Sequence, residues 1–201
     1  MNSSFINTLV LLGTVAVANT SHAVLVSGPI QNPANNHYYY LLASDTWTAS
    51  QAQAVSLGGN LVTINDAAEN AFVVSTFLNY GGVSRDLWLG LSDAGHEGTF
   101  TWADGQALSY SNWEPGQPDN GGGAFLNENY VHMYGGTTSE HVPTWTPGRW
   151  NDAVDTAGYV SNTGTQRQRF GVVEVVPEPS VSALLCVVGS FSLWSRNRNS
   201  K

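Results

Sequence analysis

The chain has 201 residues, of which 42% are hydrophobic and only 11% charged, with a formal net charge of −8 and a single cysteine. That length supports one core of ordinary size plus terminal segments. The acidic balance argues against nucleic acid as a partner, because such a surface repels phosphate, and the lone Cys186 leaves no second thiol for an internal disulfide.

In chain order, the first stretch is an apolar run from Phe5 to Val17 followed by small polar residues ending at Ala23. This reads as an export signal over residues 1–23, although no Lys or Arg precedes the run. It is too short to be a permanent membrane anchor. The domain that follows, residues 24–176, holds fourteen of the fifteen acidic residues and four of the seven basic ones, a net charge of −10.

Within it, "HYYYLL" at His37 to Leu42 has the aromatic content of a strand. Thr48 with Gln51 forms a capping box that opens a helix, Ala49, Ala52 and Val55 recur at helical spacing, and Gly58 and Gly59 supply the stop. "NLVTI" is a short strand. Asp66 with Glu69 opens a second helix that runs to Gly81 and Gly82. "LWLGL" and "TFTW" read as core strands. Ala103 to Glu128 is a long segment rich in Gly, Pro, Asn and Asp, a length that inside a compact domain marks a functional or disordered loop. "YVHMY" and "RFGVVEVV" are the remaining strands, and no repeat of 20 to 50 residues is present.

Taken together, "GGNLVTINDAAENAF", "LWLGL", "FTWADGQALSYSNWEPGQPDN", "ENYVHM" and "GRWND" resemble the C-type lectin-like domain over His37 to Val176. The resemblance implies an α+β fold with two helices, short antiparallel sheets and a long calcium-binding loop. Two departures stand out. The paired cysteines of most animal members are missing, as in cysteine-free bacterial relatives, with Tyr130 where one is usual, and extra residues interrupt the loop before Glu128 and before Arg149.

Calcium takes six to eight oxygen ligands, carboxylates and amide carbonyls among them, and Gln117, Asp119, Glu128, Asn151 and Asp152 offer that mixture. In the resembled family the matching triplet has a cis peptide before its proline, binds calcium and leaves two coordination positions for adjacent sugar hydroxyls. Relatives with Glu-Pro-Asn take mannose-type sugars, and those with Gln-Pro-Asp take galactose-type ones. Gln117, Pro118 and Asp119 therefore imply a galactose-type glycan or exopolysaccharide as ligand, with Gln117, Asp119, Glu128 and Asn151 contacting the sugar. The family's auxiliary calcium site maps onto Asp93, Glu97, Asn120, Glu128 and Asn129, with two asparagines in place of the usual carboxylates. Glu114 reads as a solvated loop charge.

Among the aromatics, Trp88, Trp102, Trp113 and Trp150 sit in strand and core motifs and are expected to be buried. Phe125 and Trp145, in the inserted segments, are the candidates for stacking on a sugar. The histidines His37, His96, His132 and His141 accompany no nucleophile elbow and no zinc motif, so a binding module rather than an enzyme is expected. The alternative is a surface or matrix interaction module that uses the fold as scaffold without binding sugar.

Residues 177–201 place Pro177-Glu178-Pro179 before an uncharged, mostly apolar run from Ser180 to Trp194, then Arg196, Arg198 and Lys201. This order resembles the bacterial PEP-CTERM sorting signal, which implies membrane association before processing and delivery to the cell surface; a plain tail anchor is the alternative. If the tail is a processed signal, intact-mass measurement of the mature envelope protein should show the Cys186 segment and the basic end removed. Recovery of Lys201 on that protein would favour the anchor.

Overall fold

The computed structural model describes residues 23–122, 127–136, 145–160 and 164–178. The N-terminal apolar run, Phe125, His141 and the apolar tail lie outside the described residues. Among those described, no helix is long and apolar enough to cross a membrane.

The strands are β1 (Leu25–Gln31), β2 (Tyr38–Ser44), β3 (Asn60–Leu61), β4 (Asp86–Ser92), β5 (Thr101–Trp102), β6 (Tyr130–Met133), β7 (Trp150–Ala153), β8 (Gly158–Val160) and β9 (Gln166–Val175), with helices α1 (Trp47–Ser56) and α2 (Ala67–Phe77). They form one α+β unit whose main sheet runs β1-β2-β9-β4-β6-β7, with β3, β5 and β8 paired to its flanks. The last long strand, β9, lies antiparallel to β2 and parallel to β4. The sheet is therefore mixed, antiparallel except where β9 meets β4, and the domain's last strand lies inside it beside β2.

Local chemistry accounts for most boundaries and for the differences from expectation. Helix α1 starts before the anticipated box: Thr46 is the cap, its hydroxyl accepting from the Ala49 N–H at 3.2 Å. Thr48 instead donates its hydroxyl and its N–H to Asp155, and Gln51 accepts from the Leu61 N–H at 2.9 Å, so both residues link the helix to neighbouring segments. Asp66 caps α2 by accepting from the Glu69 N–H at 2.8 Å. That helix ends at Phe77, and the Gly81-Gly82 pair lies in a separate 3₁₀ turn with Gly81 at φ 65°. Strand β1 went unread because Gly28-Pro29 looks like a break; it is an edge strand with irregular register around that dipeptide. The segments "NLVTI" and "TFTW" shrink to two-residue strands, although Val62, Ile64 and Trp102 remain buried.

Strand β4 is buried along most of its length, and β3 presses so close that a Cβ at Gly90 would meet the Leu61 carbonyl oxygen at 2.3 Å. Trp88, Trp102 and Trp150 are all buried, and Trp113 packs half-buried against the cluster that holds Trp102 and Trp150. Trp150 is the hub of this cluster. Trp102, Tyr110 and Trp113 meet its ring edge-on at 5.7 to 5.9 Å, and its indole N–H donates to Asn70 Oδ1 on α2 at 2.9 Å. Trp150→Phe keeps an aromatic ring but strips the donor from a buried amide and opens space. It should lower unfolding free energy by about 3 kcal/mol, read from denaturant melts; a loss below about 1 kcal/mol would show that the indole contact is dispensable.

Candidate functional site

The long loop is mounted on β7 by backbone bonds. The Trp150 N–H donates to Asn112 C=O and the Glu114 N–H donates to Trp150 C=O, both at 2.9 Å, while the Asn112 side-chain amide donates to Gly148 C=O at 2.9 Å. Glu114 is buried at 5% exposure rather than solvated, its carboxylate accepting the Thr146 N–H at 2.9 Å. It thus joins the two limbs of the loop, a role its sequence position did not disclose.

From there the chain turns through Gly116, at φ 94°, into a cis peptide between Gln117 and Pro118. The carboxylate of Asp152, buried on β7, accepts the Asp119 N–H at 3.2 Å and the Asn120 N–H at 2.7 Å, which fixes the turn after the proline. Asn120 is held on both sides: its amide N–H donates to Glu97 at 3.0 Å and its Oδ1 accepts the Glu128 N–H at 2.8 Å.

These bonds bring Asp119, Glu128 and Asp152 together, one oxygen from each lying within 4.8 Å of the others. Gln117 Oε1 and Asn151 Oδ1 are buried and accept no hydrogen bond among the described residues. Buried oxygens left unpaired cost free energy, so a donor set of three carboxylates with two such amide oxygens fits a hard divalent cation.

The auxiliary residues lie alongside. Asp93, Glu97, Asp119, Asn120 and Asp152 share the lining of a cavity of about 290 Å³ with Gly98, Phe100 and Pro118. Asp93 Oδ2 accepts the Gly98 N–H at 2.8 Å, whereas Asp93 Oδ1 and Asn129 Oδ1 are buried with no partner among the described residues. Asn120, engaged through both ends of its amide, is a clamp between Glu97 and Glu128 in this arrangement. Trp145 stacks on Tyr134 at 4.6 Å and 12°, so one face of its ring is already covered.

A family pattern described as the lectin C-type domain matches residues 43–160. The chain belongs to the C-type lectin domain family. Among relatives of this lectin domain, the mouse low affinity immunoglobulin epsilon Fc receptor is 36% identical over 116 residues, covering 58% of this chain and 29% of the receptor. The galactose-specific lectin nattectin of Thalassophryne nattereri is 36% identical over 73 residues, or 36% of this chain and 46% of nattectin. The chain thus spans less than half the length of either protein. Among solved structures, the C-type lectin CEL-I from Cucumaria echinata superposes with a TM-score of 0.54 at 26% identity, covering 74% of this chain and all of that one. The pattern match stops at 160, yet β9, which closes the lectin fold, extends to Val175.

Crowding shapes the acid–base behaviour of the lectin domain's carboxylates. Burial, with the charges of Asp152 and Asp119 beside it, pushes Glu128 up to about 7. Burial likewise raises Asp152, against the backbone N–H groups that stabilise its charge. The folded Glu128 carboxyl keeps its proton up to about pH 7, whereas its ordinary value is 4.5, so in chelator this group adds stability as pH falls through that window. Carboxyl carbon-13 shifts recorded in chelator should show a Glu128 midpoint near 7 in the unmodified domain. Asp119→Asn should move it down by removing a like charge. A midpoint in the ordinary glutamate range for the unmodified domain would mean that the three carboxylates do not crowd.

Proposed function

We propose that this domain is an exported, calcium-dependent carbohydrate-binding module with a preference for galactose-type sugars. The observation that carries the reading is the convergence of Asp119, Glu128 and Asp152, together with Gln117 and Asn151 oxygens that are buried and accept no hydrogen bond among the described residues. When bound, calcium supplies a Lewis-acidic centre that can hold adjacent hydroxyls of an uncharged sugar. The chain's own part is orientation. An ionised carboxylate only accepts hydrogen bonds, while an amide both donates and accepts. Gln117 before Pro118 can thus donate its N–H to one hydroxyl, and Asp119 after it can accept from the other. Reversing that order reverses the pattern a sugar must match.

The Gln-Pro-Asp order supports galactose or N-acetylgalactosamine, and so does the likeness to nattectin, named as galactose-specific. Export is supported by the apolar run after Phe5 and by the tail that follows Pro177. The glycan then lies outside the cell, where calcium is available, and clustering of weak single sites on a surface would raise avidity.

Calcium at 100 times its dissociation constant should stabilise the domain by about 2.7 kcal/mol, if only the folded state binds it, and Asp152→Ala should remove most of that gain. A melting temperature indifferent to calcium would refute the metal reading. The double change Gln117→Glu with Asp119→Asn keeps one negative charge, so it should retain calcium and shift competition on an immobilised neoglycoprotein toward mannose. Sugar retention that ignores chelator, or a ranking unmoved by the swap, would point to recognition by other residues, and no retention of any sugar would point to the scaffold alternative.

A further inference from the structure

His132 lies on β6 directly opposite Asn151 on β7. The ring is 1% exposed and wedged edge-on among Trp88 at 5.9 Å, Tyr134 at 4.9 Å and Tyr159 at 6.3 Å, so its orientation is set by packing. Its Nε2 stands 3.3 Å from Asn151 Nδ2, and that same Nδ2 donates to the carbonyl of Asp152. Turning the Asn151 amide over would set its carbonyl oxygen against that of Asp152. The NH₂ group therefore belongs where it is, and a ring nitrogen that receives its second N–H must carry no proton. Nδ1 then bears the proton of the neutral ring.

We infer that His132 is a positioning residue for the cation site: by accepting from Asn151 Nδ2 it commits the amide to presenting Oδ1, an oxygen rather than an N–H, to an incoming cation. The inference rests on the calcium reading above for its consequence, but its geometric content is independent of any metal. An amide held by one acceptor can swing; held by two, it presents one end. A side chain that orients a ligand without touching the ion typically controls affinity on the scale of 10- to 100-fold. A histidine serving only as core aromatic would have no such effect, because phenylalanine could take its place.

The test separates these roles in the full-length chain. With chelator present, two-bond nitrogen–proton spectra of the unmodified protein should show His132 protonated on Nδ1 alone, and the Asn151 side-chain amide should show slowed hydrogen exchange. A ring protonated on Nε2 overturns the inference without any variant. In calorimetry with calcium, His132→Phe, which keeps the aromatic packing, should weaken binding by about tenfold or more. His132→Gln, whose Oε1 can reach as an acceptor, should stay within about threefold of the unmodified protein. Melting in chelator reports whether each variant folds; if the phenylalanine variant does not, the glutamine variant and the spectra decide. Equal calcium affinity for the phenylalanine and unmodified proteins overturns the inference. Failure of the unmodified protein to bind calcium would sink the proposed function, while the spectra would still settle what His132 does to Asn151.

Discussion

The burial of Trp150 is the constraint from which the site follows. Its indole is enclosed by three aromatic rings and tied to Asn70 on α2, and its backbone bonds to the loop at Asn112 and Glu114 while it stands opposite Met133 in the register of β6. Two residues with amide and carboxylate side chains, Asn151 and Asp152, come next in the chain. They are placed by a neighbour that cannot move without emptying the core. In the ladder Asn151 stands opposite His132 and Asp152 opposite Val131. The loop then folds onto Asp152 through the N–H groups of Asp119 and Asn120. Order thus passes from an apolar contact to a polar loop that has little core of its own.

That loop accepts an electrostatic cost. Burial and neighbouring like charge raise the proton affinity of Glu128 and Asp152, and an opposing charge is only partly available: Arg169 lowers the Glu128 value, but its guanidinium lies over the rings of Trp88 and Tyr159 at 4.9 and 4.6 Å and donates to Thr156. Arg167 is likewise committed, paired with the buried Asp86. Both arginines belong to β9 and are committed there to other partners, Arg169 to Thr156 and Arg167 to Asp86. A cation from solution is the partner such an arrangement favours.

Much of this was legible in the chain, and the reasons are specific. Asp66 announced α2 because an aspartate before an amphipathic run has few other uses, and the glycine in "LWLGL" sits where two strands come nearly into contact. The Gln-Pro-Asp and Trp-Asn-Asp motifs could be singled out because carboxylates and amides are the side chains that suit a hard cation. What escaped was whatever depends on pairing across the fold. Thr48 looked like a cap because its partner Asp155 is 107 residues away. Glu114 looked solvated because nothing local says that Thr146 covers it. His132 looked like one more residue of an alternating strand, since its meaning comes from Asn151 on the next one. Strands β7 and β8 were unread for the same reason: short, polar segments become strands only when β6 and β9 offer edges.

The absence of paired cysteines raises the question of what holds the ends of the domain together. Strands β2 and β9 pair over Tyr38 to Ser44, and a buried polar knot reinforces them. The Tyr39 hydroxyl lies 2.7 Å from Glu69 on α2 and 3.0 Å from Glu174 on β9; His37 bonds Glu174 at 2.6 Å; and the N–H groups of Thr63 and Asn65 cover the other carboxylate oxygens. Burial, with Glu69 adding like charge, raises Glu174 above its ordinary value despite those bonds. A cross-link of this kind joins three elements that a disulfide would join only in pairs. It does so with groups whose hydrogen bonds need fixed geometry, and fixed geometry is what the sheet must have if β4, β6 and β7 are to hold the loop in register.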